Sequence, residues 1–492
     1  MRKSSLFMVL GAICAPMAAP AHGINGHVHV TGWAIERLPP GELADFFAEQ
    51  AVRDAALIGA AFPDSGYAID DHYGELAHWE PYVGVHLAWL RERFPPPLVD
   101  LEAKKQLAFL MGLAAHGLQD EMFDSVFLYE LEERDGAGQE RSDPGTDAFL
   151  FTDGWLQYKP PLYAPFEDLP EIFLRAHGHA VTPSTLRSGM NRVKVLVIDG
   201  FHALAPVLDA EHRPHLPWTA QHYVDPAVPG SLAAEIPATG AHLQAIWDRF
   251  HGRFGLEELA VHTWPDVPRR LRGTQPGHVD GWITLIFATG VRVGSLTPET
   301  VLLTDADGLA VPVRVVGTRW GGSPEDSSRL VRLQPEVELA PNAAYTVTLH
   351  PGVALLDGQT LQNTWSFSFL TACVEGDPAC PPEPTGGEPP RPPVAEADAG
   401  VEIDAATSDA GEAADGAIDA GPIDAGQVDA ATTPLDRGAP QATPRTDDGC
   451  SVSAPGSGWQ PDSHLNSKGW PLLWLGLLWA QRLRARRKPT GR

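Results

Sequence analysis

Cysteine is scarce in this chain, four residues in 492, and that excludes a scaffold built mainly on disulfides. Basic residues are also short: 36 Lys and Arg stand against 63 Asp and Glu, a formal net charge of -27. Much of the excess acid sits in one tail. Binding along a phosphate backbone needs clustered cations, so nucleic acid is set aside as the natural partner. The apolar stretch Trp470 to Ala480 falls short of the roughly 20 residues that carry a helix across a bilayer. What the chain does have is length, beyond the usual size of one compact domain, so two or more separately cored units are expected.

The first residues have the texture of an export signal, expected over 1–21. Arg2 and Lys3 precede an apolar run from Leu6 to Met17 and the small-residue site Ala19-Pro20-Ala21. Cleavage there starts the mature chain at His22 and removes Cys14; Gly11-Ala12-Ile13 before that cysteine is a poor lipoprotein signal. Cys373, Cys380 and Cys450 then remain in a compartment where disulfides persist, with Cys373 and Cys380 expected to pair. The expected location is exported, secreted or on the cell surface.

From Glu42 to about Phe254 helical periodicity dominates. It is clearest in Leu101 to Leu131, where Leu107, Leu110, Met111, Ala114 and Ala115 recur at steps of three and four. An all-α domain is expected over 22–262. After about Trp264 the texture changes to short runs rich in Val, Ile, Thr and Phe: Trp282 to Phe287, Val311 to Val316, and Tyr345 to Leu349. Asp305-Ala306-Asp307-Gly308 and Asp357-Gly358 mark turns between them. This predicts an all-β sandwich over 270–373. Residues 374–449 are rich in Pro and then in Asp-Ala-Gly, with too little apolar surface to offset ordering, and are expected to be a disordered acidic linker. Residues 450–492 carry Cys450, a polar spacer, the short apolar stretch and the basic end Arg482 to Lys488.

The most chemical segment is Met111-Gly112-Leu113-Ala114-Ala115-His116-Gly117-Leu118-Gln119-Asp120-Glu121-Met122-Phe123-Asp124. On a helix, residues four apart share a face, so His116, Asp120 and Asp124 form one ridge of potential ligands. Imidazole and carboxylate together suit zinc. Taken alone, such a ridge is as well explained by hydrogen-bonded or solvated side chains.

Further segments in order raise the significance of that ridge. His27 precedes Ala34-Ile35, Gly59-Ala60-Ala61-Phe62-Pro63-Asp64 follows, then His78-Trp79, then Met111-Gly112-Leu113 leading to His116 and Asp120. Over residues 22 to about 255 this series resembles the zinc-dependent phospholipase C family, whose metal scaffold resembles that of single-strand nucleases. The resemblance implies one zinc held by Asp64, His78, His116 and Asp120, with Asp120 bridging to a second zinc held with His27. In the family a free amino terminus completes that second site. His29 is a rival to His27. A third site falls on Asp124, Asp143 and Asp147, an all-carboxylate set that suits a harder cation than zinc. Asp143-Pro144 reads equally well as a helix start.

Two further resemblances concern the other end of the chain. Leu296 to Val301, Leu339 to Tyr345 and Trp365 to Phe369 resemble bacterial Ig-like surface domains, to which no catalysis is assigned. Cys450, the apolar stretch and the Arg-rich end resemble myxobacterial C-terminal sorting tails, with a marginal membrane anchor as the alternative.

The expected function is therefore that of an exported zinc-dependent phosphodiesterase of phospholipase C type, with two or three ions. It would cleave phospholipids or related phosphodiesters, make contact with a membrane surface, and use Asp64 as proton acceptor. Glu75 or Asp71 are candidates to orient the histidines, and His72 and His86 lie close enough in sequence to enter the site. Phe62, Tyr67 and Trp79 are candidates to line it or to pack in the core. A single-strand-type nuclease and a non-catalytic surface display protein with a degenerate metal domain are the competing readings.

Overall fold

The computed structural model describes residues 23–373, apart from 156–157, 257–258, 267–268, 318–326 and 357. The expected export signal, His22, the acidic linker and the C-terminal segment with Cys380 and Cys450 lie outside the described residues. Cys373 is disulfide-bonded, and its partner also lies outside them. No helix among the described residues is long and apolar enough to cross a membrane.

The first half is helical, as its periodicity predicts. Six helices matter for the site: α1 (Ile24–Glu36), α2 (Gln50–Gly59), α3 (Glu80–Arg93), α4 (Leu101–Met122), α5 (Gln139–Thr152) and α6 (Glu235–His251). The Asp100 carboxylate starts α4 by accepting from the Ala103 amide at 3.1 Å. From Gln106 to Met122 every residue of α4 is buried, which is why this segment carries no solvent-facing polar stripe. Gly112 is required where α4 crosses α2, because a Cβ there would lie 1.8 Å from the Ala56 carbonyl oxygen. Without that contact the two helices, and with them His116 and Asp120 on α4 and Asp64 beyond the end of α2, would stand farther apart.

The second half is a sandwich of two four-stranded sheets. One sheet runs β1 (Ala260–Trp264), β2 (Ile283–Arg292), β6 (Ser327–Pro335), β5 (Val313–Val316); the other runs β4 (Ala310–Val311), β3 (Val301–Asp305), β7 (Ala344–Leu349), β8 (Trp365–Leu370). All the strand pairings within the two sheets are antiparallel. The first strand begins upstream of the expected start at 270. The run Val311 to Val316, which reads as one strand, is two: Pro312 offers no N–H to a ladder, and the chain passes there from one sheet to the other.

Strands β2 and β6 are buried along nearly their whole length. A sheet facing solvent on one side would alternate. Here one face meets the sandwich core and the other meets the helices, where Ile286 and Leu330 pack with Leu118, Met122, Val126 and Ala238. The sandwich is thus packed directly on the helical half.

Candidate metal centre

Four chain segments converge below α4. Helix α1 brings His27, a short helix beginning at Asp64 brings its carboxylate, His78 follows the helical turn Tyr73–Ala77, and α4 itself brings His116 and Asp120. All five side chains are buried. Two groups form, each with its potential ligand atoms within 4.8 Å of one another: His27, His116 and Asp120, and Asp64, His78 and His116. Asp120 divides its oxygens between them. Its Oδ1 lies 3.1 Å from His27 Nε2, and its Oδ2 lies 3.3 Å from His78 Nε2 and 3.2 Å from His116 Nε2. Asp64 Oδ1 stands 3.5 Å from His78 Nε2 and 3.7 Å from His116 Nε2.

Hydrogen bonds on the far side of each ring decide which nitrogen faces inward. His78 Nδ1 lies 2.7 Å from the Gly74 carbonyl and His116 Nδ1 lies 2.6 Å from the Ala60 carbonyl. A carbonyl only accepts, so both Nδ1 atoms are donors. His27 Nδ1 donates to Gln119 Oε1 at 2.9 Å, and the Gln119 amide group is turned that way by donating to Thr31 and Thr239. In the neutral rings every Nε2 therefore presents a lone pair to the shared space, and those of His78 and His116 face each other at 2.9 Å. Two lone pairs at that distance repel unless a proton or a cation lies between them. Asp64 Oδ1 and Asp120 Oδ1 also lack a hydrogen-bond partner among the described residues. Nitrogen and carboxylate donors held by second contacts and aimed at one buried space fit a zinc pair.

The electrostatics of these buried side chains centre on Asp120. Burial opposes charge on Asp120, but the His116 and His27 rings hold its carboxyl well below the usual range. Burial also opposes charge on His27, and there Asp120 prevails and raises it. On His78 burial acts in the same direction, and Asp64 and Asp120 overcome it and raise the ring. His116 is lowered, first by burial and then by the neighbouring His27. The rings thus compete for protons around one carboxylate.

The remaining sequence candidates are placed differently. After Met122, α4 gives way to a π-helical turn, Phe123–Phe127, which carries the buried Asp124. Asp143 lies inside α5 rather than at its start, so the helix-start reading of Asp143-Pro144 is corrected: the helix begins at Gln139. Burial, and next Asp124, push the Asp143 carboxyl well above its usual range. Asp147 accepts from the Asn25 and Gly26 amides at 3.2 and 2.9 Å and from Asn25 Nδ2 at 2.9 Å. It thereby caps the start of α1, two residues from His27.

His29 tilts against Trp33 at 3.7 Å between ring centres and joins neither ligand group. Glu75 accepts from the Tyr67 hydroxyl at 2.5 Å and from Trp79 Nε1 at 2.9 Å, and Asp71 Oδ1 accepts the Tyr73 amide. The orienting groups are instead Gly74, Ala60 and Gln119. Phe62 packs in the core against Tyr73, Phe109 and Phe173. His72 faces His179.

His86 is fully buried on α3 against Tyr82, and neither ring nitrogen has a partner among the described residues. Burial pushes its pKa down from 6.5 to about 3. The folded ring stays neutral where the unfolded one takes a proton, so its contribution to stability is complete above 6.5 and is lost as pH falls toward 3. We expect His86→Phe to reduce the stability lost between pH 7 and pH 5 by roughly 2 kcal/mol, at about 1.4 kcal/mol per pH unit below the unfolded value. Urea unfolding at the two pH values checks this, and equal losses in both proteins would contradict it.

Parts of the chain have counterparts among known proteins. Residues 273–371 match the bacterial Ig-like domain family. That Ig-like domain is the sandwich described above. The chain is also similar to phosphatidylinositol-glycan-specific phospholipase D of Mus musculus, 24% identical over 241 residues, and of Homo sapiens, 26% identical over 216 residues. The same enzyme of Dictyostelium discoideum is 30% identical over 131 residues, 23% of this chain. The mouse and human matches cover 45% and 40% of this chain but only 28% and 25% of those proteins, so the chain spans about a quarter of their length. Against the N-terminal part of the bacterial S-layer protein SbsC, overlap is 68% of this chain and 79% of that one, at 12% identity. The TM-score of 0.17 is too low to relate the two folds.

Proposed function

We propose that the helical half is a zinc-dependent phosphodiesterase acting on phospholipids or related phosphodiesters outside the cytoplasm. The observation that carries this reading is the buried convergence of three imidazole Nε2 atoms on Asp120, whose two oxygens face two separate ligand groups. Asp64, His78, His116 and Asp120 would hold one zinc, and Asp120 with His27 would reach the other, since the one free Nε2 of His116 serves a single ion. Bound divalent cations supply charge to the non-bridging phosphate oxygens and make water more acidic.

The chain's own residues do the rest. Asp64, with Oδ1 directed at the same space, holds the proton of the attacking water. Gln119, Gly74 and Ala60 keep the three rings in the tautomer that leaves Nε2 open. Asp124 and Asp143 form a further acidic pair, suited to a third, harder cation whose charge would reverse the upward push on Asp143. Asp147 serves that pair only indirectly, since its oxygens are taken by the start of α1.

The likeness to phosphatidylinositol-glycan-specific phospholipases D supports a lipid phosphodiester as substrate. Display on a bacterial Ig-like domain supports a surface location. The test is turnover by the zinc-reconstituted full chain on vesicles of phosphatidylcholine, phosphatidylinositol or a glycosylated phosphatidylinositol, with single-stranded DNA as the comparison. Diacylglycerol as product would mark a phospholipase C bond, and phosphatidic acid a phospholipase D bond. We expect lipid turnover that a strong chelator abolishes and added zinc restores. Turnover of DNA alone would favour the nuclease reading, and none on any phosphodiester would favour the display protein.

A further inference from the structure

We propose that Arg329, a residue of the Ig-like domain, is a positioning residue for the metal centre in the helical half. The inference rests on the metal reading above. Arg329 stands on β6 and is 1% exposed, one of the largest fully buried side chains in the protein. Its Nε donates to Glu121 Oε1 at 3.0 Å, one Nη to the Ala114 carbonyl at 3.3 Å, and the other Nη to the His78 carbonyl at 3.1 Å. Glu121 also accepts the Arg329 and Leu330 amides at 3.0 and 2.9 Å, which locks the strand to the helix.

Each of these contacts lies next to a ligand. Ala114 and Glu121 flank the turn of α4 that carries His116 and Asp120, and the His78 carbonyl belongs to a ligand residue itself. One planar fork therefore fixes α4 and the His78 segment relative to each other. Gly117 leaves room for this arrangement. A Cβ there would lie 2.1 Å from the His78 carbonyl oxygen and 2.6 Å from the Arg329 guanidinium. Nothing about holding two domains together requires the fork to reach a ligand's carbonyl, since Ile286 and Leu330 already pack the same interface with apolar side chains.

The experiment uses the full chain, purified without metal and titrated with cobalt(II) as a spectroscopic probe. Affinity is read by chelator competition and geometry by the d–d bands. Arg329→Lys keeps the charge but not the fork, and Gly117→Ala pushes the His78 carbonyl away while keeping Arg329. Both are expected to weaken cobalt binding by about 10- to 100-fold, the usual effect of losing a group that supports a metal ligand, and to alter the bands. Leu330→Ala loosens the same interface; it should lower the melting temperature and leave cobalt affinity and spectrum unchanged. Wild-type affinity and bands in both Arg329→Lys and Gly117→Ala would overturn the inference, as would an equal loss in Leu330→Ala. If Arg329→Lys fails to fold, Gly117→Ala decides alone. A wild-type chain that binds no cobalt overturns the metal reading, and this inference with it.

Discussion

His116→Ala is expected to leave a folded chain with well under one zinc per site and phosphodiesterase activity reduced by at least about 10³-fold, since a bound metal contributes several kcal/mol to such transition states. The reason is shared membership. His116 stands in both candidate groups and offers the one Nε2 between them, so its loss leaves the first site with Asp64, His78 and Asp120 and opens the space toward His27. His78 is then the only imidazole of that site, short of the two or three imidazole or thiolate ligands of an ordinary catalytic zinc site. The fold should survive, because the ring hydrogen-bonds only the Ala60 carbonyl outside the centre. Zinc content, activity and the helical circular dichroism signal measured on one preparation check all three parts. Asp143→Ala, by contrast, should cost at most one cation, because Asp143 is in neither group. Two zinc ions retained in His116→Ala would move the centre away from α4.

The second large effect is on chemistry rather than on binding. Asp64→Asn preserves size and one oxygen but removes the negative charge that would receive the proton of water. We expect kcat to fall by about 10²- to 10⁴-fold, the usual worth of a general base, while His78, His116 and Asp120 still hold zinc. Steady-state kinetics with zinc content measured in parallel separates the two roles. Full activity with full zinc would exclude Asp64 from proton transfer; loss of both in proportion would make it a ligand alone.

How much of the centre is legible in the sequence depends on the range of each interaction. The pair His116 and Asp120 is legible because helical spacing is local, and residues four apart meet whatever the rest of the chain does. The π turn that carries Asp124 is not legible in the same way, since nothing in Phe123-Asp124-Ser125 announces it. Gln119 escapes notice because an amide in a helix looks like ordinary surface polarity. Its only signal is that the surrounding stretch has no solvent face to put it on. Asp147 illustrates a different ambiguity: a carboxylate that suits a cation also suits the unpaired amides at the start of a helix.

The β half is legible as a class and not in its details. Alternating Val, Ile and Thr with turn residues identifies strands, but Pro312 within one such run marks a passage between sheets. Arg329 and Arg332, charged residues in a strand, suggest an exposed edge, yet both are buried against the helices. Their partners, Glu121 and the Ser125 carbonyl, lie some two hundred residues away. Pairings at that separation leave no local pattern.

The most direct test of the account is elemental analysis of the full chain after zinc reconstitution and dialysis. The account predicts at least two zinc ions per chain, held by two ligand groups that Asp120 bridges. A chain that retains none would contradict it.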